Sequence, residues 1–431
     1  MQTVIHPDRK DWPRLLQRPT MDTSALDATV HRILQEIRHD GDEAIRRYTA
    51  QFDSVQLEQL SVGAAEMVAA EATLSDDLKV AIRTARENIA RFHGEQHEAP
   101  KVVETMPGVH CWRKSVAIEK VGLYVPGGTA PLFSTVLMLG IPAKLAGCRE
   151  IVLCSPPDRE GRLHPAMLYA ARLIGIEKVF RIGGVQAIGA MAYGTESVPQ
   201  VYKIFGPGNQ YVTAAKQLVN RAGTAIDMPA GPSEVLVCAD DSADPAFVAA
   251  DLLSQAEHGV DSQVVLVAFA AQTLEAVGAA VQAQLADLPR KDIAQKALEN
   301  SVAVVVRDRR EALDLINTYA PEHLILSVVD VDDFAAGVVN AGSVFMGNYT
   351  PESVGDYASG TNHTLPTNGF ARAYSGVSLD SFVKKITFQR LTAEGLCHLG
   401  PTVATMAEAE QLRAHSQAVR LRLTQLGTNP K

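Results

Sequence analysis

Four short stretches of this sequence place proton-handling or metal-ligating side chains close enough together to share a site. In LLSQAEHG, Gln255 and His258 are three residues apart, which on a helix puts an amide and an imidazole on one face near its C-terminal end. Gly259 then supplies a helix stop. Such a pair can ligate a metal, although a histidine at a helix C-terminus is also an ordinary partner for the helix dipole. In YAPEHLIL, Glu322 and His323 stand where a predicted strand begins, and a carboxylate beside an imidazole suits acid–base chemistry. Strand neighbours point to opposite faces, so these two share a site only if the turn at Pro321 bends the backbone. Asp356 and His363 sit in one loop-like stretch; one can be a ligand and the other a brace, and spacing does not say which. In EAEQLRAHSQAV, Glu410 and His415 are five apart, roughly 140° around a helix at about 100° per residue. They could flank one small ligand but not point along one line.

Two glycine-rich turns add a fifth signal. VPGGTAP and IFGPGNQYV each close a predicted strand and precede a helix, where backbone N–H groups could receive a phosphate. Neither fits GxGxxG, so the usual dinucleotide fingerprint is absent.

The elements that must hold these residues follow from periodicity. SALDATVHRILQEIRHDGDEAIRRYTAQF carries apolar residues at helical spacing, broken at Asp40-Gly41-Asp42. After Ser75 the pattern resumes, with Leu78, Ile82, Ala85, Ile89 and Phe92 on one face. From about Ala117 short β-branched runs (VGLYVP, EIVLCSP, KVFRIGG, VYKIFGPG) alternate with helical stretches, which is how a parallel sheet with crossover helices reads. After the turn DMPAGPS the alternation restarts with SEVLVCAD, SQVVLVAF, VAVVVRD, HLILSVV and SVFMGN. The expectation is an α/β protein of two similar Rossmann-like parallel-sheet halves, with a helical N-terminal lobe and a helical C-terminal tail. The segments are 1–116 (N-terminal helical), 117–228 (first α/β domain), 229–348 (second α/β domain) and 349–431 (active-site loop and C-terminal helices). Tyr349 to Gly376 reads as a long functional loop, followed by a helical tail from SLDSFVKKI onward.

Composition sets outer bounds. With 431 residues there is room for about three domains, and 46% hydrophobic with 21% charged residues is ordinary for a globular protein. A net charge of −9 argues against a nucleic-acid footprint. Five scattered cysteines form no CxxC pair, and Cys148, Cys154 and Cys238 flank apolar runs, where buried, inert thiols are expected. The opening residues have no apolar signal region and no run approaches 18 apolar residues. No membrane association and a reducing cytoplasm are therefore expected.

Taken together, the motifs resemble one family. VGLYVPGGTAPLFSTVLM, GGVQAIGAMAYGT, KIFGPGNQYVTAAK, MPAGPSEVLV, DLLSQAEHG, APEHL, VGDYASGTNHTLPT and AHSQAV are similar, in order, to those of histidinol dehydrogenases, from about Val121 onward. The resemblance implies a zinc ion on Gln255, His258, Asp356 and His415, with the same four facing the substrate. Ser233, Glu410 and His323 would line the substrate pocket, and Tyr124, Gln186 and Asn209 would contact NAD. It further implies that His323 is the general base and that Glu322 activates water for the aldehyde stage. The expected activity is oxidation of L-histidinol through L-histidinal to L-histidine with two NAD. The expected assembly is a homodimer whose C-terminal segments, with Glu410 and His415, reach the partner's site. The nearest rival is a related zinc- and NAD-dependent dehydrogenase for another polar alcohol, such as a sulfonated diol. A cysteine-nucleophile aldehyde dehydrogenase is a different mechanism, and no cysteine here has an evident activating partner.

Overall fold

In the computed structural model residues 1–19, 24–127, 131–229 and 231–427 are described. Residues 128–130 of the VPGGTAP turn lie outside them. The chain divides into two compact units, residues 1–96 with 118–382, and residues 97–117 with 383–431. Strands are numbered along the chain: β1 Gln2–Ile5, β2 Val103–Met106, β3 Val109–Ala117, β4 Lys120–Tyr124, β5 Glu150–Ser155, β6 Lys178–Arg181, β7 Lys203–Phe205 and β8 Ala225–Ile226. The series continues with β9 Glu234–Ala239, β10 Gln263–Ala268, β11 Val302–Val305, β12 His323–Ser327, β13 Ser343–Met346 and β14 Val383–Leu391.

The first unit holds two parallel sheets. One runs β6-β5-β4-β7-β8 and the other β1-β11-β10-β9-β12-β13. Setting β1 aside, each sheet has its third, second, first, fourth and fifth strands side by side in that order, the doubly wound Rossmann arrangement. The expected pair of similar halves is therefore present. Every residue of β9 (EVLVCA) and β10 (QVVLVA) is buried, which is why these strands read as continuous apolar runs rather than alternating ones.

The N-terminal helices Ser24–Asp40 and Asp42–Phe52 are separated at Gly41, whose φ of 55° suits glycine. Val30, Ile33, Leu34 and Ile37 of the first share a core with Ile188 and Val212 of the five-stranded half. The helix Asp76–Gly94 begins at Ser75, whose hydroxyl accepts from the Leu78 N–H. Its Ile82, Ala85 and Ile89 join the core on the other face of that sheet. Phe92, expected on the same face, is 48% exposed, and His93, four residues after Ile89, occupies the buried position instead. A further difference is β1: residues read as part of a helical lobe form an edge strand on β11.

The second unit, taken by itself, is an antiparallel sheet in the order β14-β3-β2 with two helices, Ala393–Ala409 and Arg413–Gln425. Trp112 and Phe388, paired across β3 and β14, stack with ring centroids 5.5 Å apart. The segment SLDSFVKKI was expected to open a helical tail. Leu379–Phe382 makes a short 3-10 turn and residues 383–391 make β14, whose Val383, Ile386, Thr387 and Phe388 are strand formers.

Candidate active site

The two residues expected to do the chemistry meet at the amino-terminal edge of the six-stranded sheet. His323 is the first residue of β12, and Glu322 precedes it. The preceding helix, Arg309–Tyr319, ends at Ala320 in the left-handed conformation, and the chain turns through Pro321 into the strand. That turn lets the neighbours share a site, with Glu322 Oε2 3.7 Å from His323 Nδ1. Both are buried. Glu322 Oε2 accepts a hydrogen bond from the Glu234 N–H at 2.9 Å, and His323 Nδ1 lies 3.2 Å from the Glu234 carbonyl oxygen. A carbonyl only accepts, so Nδ1 carries a proton toward it, and Nε2 is the ring nitrogen turned toward the carboxylates. Nε2 is buried with no hydrogen-bond partner and sits 3.4 Å from Asp356 Oδ1. Burial pushes the Glu322 carboxyl up to about 8, against the pull of His323. Burial disfavours a charged His323 ring, but the carboxylates of Glu352, Glu322 and Asp356 outweigh it and raise its pKa well above the ordinary value.

Beside this pair lies a cluster able to hold a cation. Ligand atoms of His258, Glu352 and Asp356 all fall within 4.8 Å of one another. Glu352 was not foreseen. It and Asp356 are four apart on the helix Glu352–Tyr357, inside the stretch expected to be loop, so the two carboxylates share a helical face. Burial works to raise Asp356, but His323, His363 and His258 outweigh it and hold it below the usual range. Glu352, almost fully buried, is pushed up to about 8. Gln255 lies in the last turn of the helix Pro245–Ala256, which Asp244 caps and Pro245 begins. That helix stops at Ala256, not at Gly259, so His258 stands beyond its end, where its N–H bonds to the Gln255 carbonyl. Both side-chain heteroatoms of Gln255 are buried without a partner. An unsatisfied buried amide costs about 1–3 kcal/mol, a cost that ligation of a cation through Oε1 removes. The donor set of an amide oxygen, an imidazole and carboxylates thus fits a divalent metal. His363 is the brace: Nδ1 meets the Asp356 carbonyl oxygen at 2.8 Å and Nε2 meets Thr135 Oγ1 at 3.0 Å. Ser233, half-buried, directly precedes Glu234 at the same sheet edge.

The residues expected at the cofactor gather at the opposite kind of edge, the carboxyl ends of the five-stranded sheet. Tyr124 ends β4, and its hydroxyl accepts from the Gly184 N–H at 3.1 Å, at the start of the helix Gly184–Tyr193. Gln186, in the first turn of that helix, is buried with an unpartnered Oε1. Asn209 follows β7, is exposed, and caps the helix Gln210–Arg221 by accepting from the Tyr211 and Val212 N–H groups. The cap takes up two of the helix's N-terminal donors, the Tyr211 and Val212 N–H groups, and leaves the remaining donors of the turn. β4 and β7 are adjacent although two strands separate them in sequence, so these residues frame the crevice where strand order reverses. Gly206 permits the approach: with φ 123°, a Cβ there would lie 1.9 Å from the Tyr124 carbonyl oxygen.

Glu410 and His415 belong to the second unit. The expected single helix through both is broken, since Glu410 closes the helix Ala393–Ala409 and Gln411 has a φ of 62°. Roughly helical spacing therefore does not relate them. Both are exposed. Cys154 and Cys238 are fully buried with thiol pKa values driven up by desolvation, and burial lifts Cys148 to about 11, so none of the three is a poised nucleophile.

The family model of histidinol dehydrogenase matches residues 16–423. The histidinol dehydrogenase of Bacteroides thetaiotaomicron is 60% identical over 426 residues, covering 99% of this chain and all of that one. The chloroplastic histidinol dehydrogenase of Arabidopsis thaliana is 54% identical, covering 95% of this chain and 88% of that one. The crystal structure of histidinol dehydrogenase from Elizabethkingia anophelis superposes with a TM-score of 0.97 at 53% identity, covering 99% of each chain. Among the described residues no helix is long and apolar enough to cross a membrane.

Proposed function

Because the chain belongs to the histidinol dehydrogenase family, we propose that it carries L-histidinol through L-histidinal to L-histidine, with one hydride passing to NAD at each stage. Gln255, His258 and Asp356, joined by His415, would hold a zinc ion. That ion would supply Lewis acidity and a fixed anchor for the substrate's nitrogen atoms.

The observation that carries this reading is the state of His323. Its Nδ1 is anchored on the Glu234 carbonyl while its Nε2 is buried, unpartnered and beside Asp356. From the neutral form of the ring, with the Asp356 carboxylate engaged by the metal, Nε2 would take the hydroxyl proton as the carbinol carbon releases its hydride, giving the aldehyde, NADH and a proton held on the ring. Water then adds to the aldehyde, with Glu322 accepting a water proton. The resulting hydrate loses a second hydride to a second NAD and becomes the carboxylic acid. Glu322, buried beside His323, would take that water proton and return it before the next turnover. At the other edge, Tyr124, Gln186 and Asn209 would meet the cofactor. Ser233 and Glu410 would line the substrate.

Supplying L-histidinol with excess NAD should yield two NADH per substrate and histidine as product. Release of one NADH with accumulating aldehyde would overturn the four-electron reading. We also propose that the working form is a homodimer in which His415 and Glu410 act in the partner's site. Co-refolded His258→Ala and His415→Ala chains should then recover activity, since one site of each heterodimer keeps both native ligands. Proven heterodimers without activity would place His415 in its own chain's site.

A further inference from the structure

One backbone residue touches both members of the proposed catalytic pair: Glu234 donates its N–H to Glu322 and receives the Nδ1–H of His323 on its carbonyl. What holds Glu234 comes from the far end of the chain. The Arg18 guanidinium forms a two-pronged ion pair with the Glu234 carboxylate, Nε to Oε2 and Nη2 to Oε1. The same Nη2 donates to the Tyr319 carbonyl at 2.8 Å, and the guanidinium lies over the Tyr319 ring, 3.9 Å from its centroid. The Tyr319 hydroxyl completes the ring of contacts, 3.1 Å from Glu234 Oε2 and 2.9 Å from Gln263 Oε1. The Gln263 amide is oriented by two carbonyls, those of Gln17 and Asn300, so its oxygen must face the tyrosine.

Arg18 thus grips two places at once: the first residue of β9, and the last turn of the helix that delivers Glu322 and His323. These are the two segments whose relative position sets the Glu234 contacts to the catalytic pair. Glu234 is 2% exposed and the Arg18 side chain 14%, so the pairing is shielded from solvent. A lysine could supply the charge but not the planar fork that reaches a carboxylate and a carbonyl together.

We propose that Arg18 is a positioning residue for the reaction, clamping Glu234 and the Tyr319–Ala320 turn so that His323 Nε2 and the Glu322 carboxylate are held in working register. The proposal rests on the assignment of Glu322 and His323 as the catalytic pair. Partners that orient a reacting group without touching substrate are commonly worth about 10–100-fold in activity.

The test uses Arg18→Met, Arg18→Lys, and the double variant Arg18→Met with Glu234→Gln, which leaves no buried unpaired carboxylate. Each is compared as full-length enzyme, with the rate of first-turnover NADH formation divided by zinc-loaded, folded protein. Arg18→Met should lower that rate about 10–100-fold while KM for NAD and zinc content stay within twofold of the parent. Arg18→Lys should recover only part of it. The double variant should regain thermal stability without regaining rate. The proposal is overturned if Arg18→Met keeps its rate per zinc-loaded site, if the loss is matched by lost zinc or folded protein, or if the double variant restores the rate along with the stability. Two controls separate the two readings: His323→Asn, read in first-turnover NADH formation, and Glu322→Gln, read in oxidation of supplied histidinal. Full activity in those controls removes the catalytic assignment itself, whereas impaired controls beside an unimpaired Arg18→Met remove only the clamp.

Discussion

The two parallel sheets of the first unit have the same strand order, yet their candidate functional residues lie at opposite edges. In the five-stranded sheet they lie at the carboxyl ends of β4 and β7, where helices begin. In the six-stranded sheet they lie at the amino ends of β9 and β12, where helices finish: Pro245–Ala256 delivers Gln255 and His258, and Arg309–Tyr319 delivers Glu322 and His323. Helix N-termini carry partial positive charge and free N–H groups, which suit a nucleotide's phosphates. Helix C-termini carry partial negative charge and free carbonyls, which suit a cation and a protonated imidazole. A repeated fold therefore offers two chemically opposite surfaces, one suited to an anion and the other to a cation.

Stripping the metal should have the largest effect, abolishing turnover while leaving the circular dichroism spectrum and NAD titration unchanged. His258→Ala should do the same by lowering zinc content. A fall in NAD affinity parallel to the loss of metal would show that the edges are not independent. Next, His323→Asn should slow the first hydride transfer by about 10²–10⁴, the usual scale of general-base catalysis, with KM for NAD retained. Glu322→Gln should instead spare the first turnover and stall oxidation of supplied histidinal; equal damage to both stages would make Glu322 a support for the imidazole. Gly206→Ala attacks the other edge, since its Cβ would meet the Tyr124 carbonyl oxygen at 1.9 Å. It should raise KM for NAD by about tenfold or more with zinc content unchanged; wild-type NAD kinetics would break the assignment of that crevice. The smallest effect belongs to Asn209→Ala, which removes a helix cap worth about 1 kcal/mol and should lower the melting temperature slightly, with a modest rise in KM for NAD.

Much of this was legible in the sequence because strands buried on both faces, such as VLVCA and VVLVA, leave unbroken apolar runs between helical patterns. β1 and β14 were not. Only four residues long and at a sheet edge, QTVI has too little periodicity to register, and VKKITFQRL, half of it charged or polar, follows directly on a helical-looking turn. Glu322 and His323 were visible as a pair because Pro321 marks a turn. Their shared anchor at Glu234 was not, since it depends on β9 lying beside β12, a neighbour 89 residues away. Glu352 could have been found from its four-residue separation from Asp356, had PESVGDY been read as a turn of helix rather than loop. The resemblance of ordered motifs supplied what spacing could not: which of Asp356 and His363 is the ligand candidate.

The edge strand β1 carries a consequence for synthesis. Residues 2–5 pair with residues 302–305, so this strand leaves the ribosome about 300 residues ahead of its partner and waits for it. At about 5–20 residues per second that delay is about 15–60 s. Arg18 waits in the same way for Tyr319. Residues 2–18 are thus made long before they can be seated, and a nascent chain has no assembled catalytic edge until translation has passed β12.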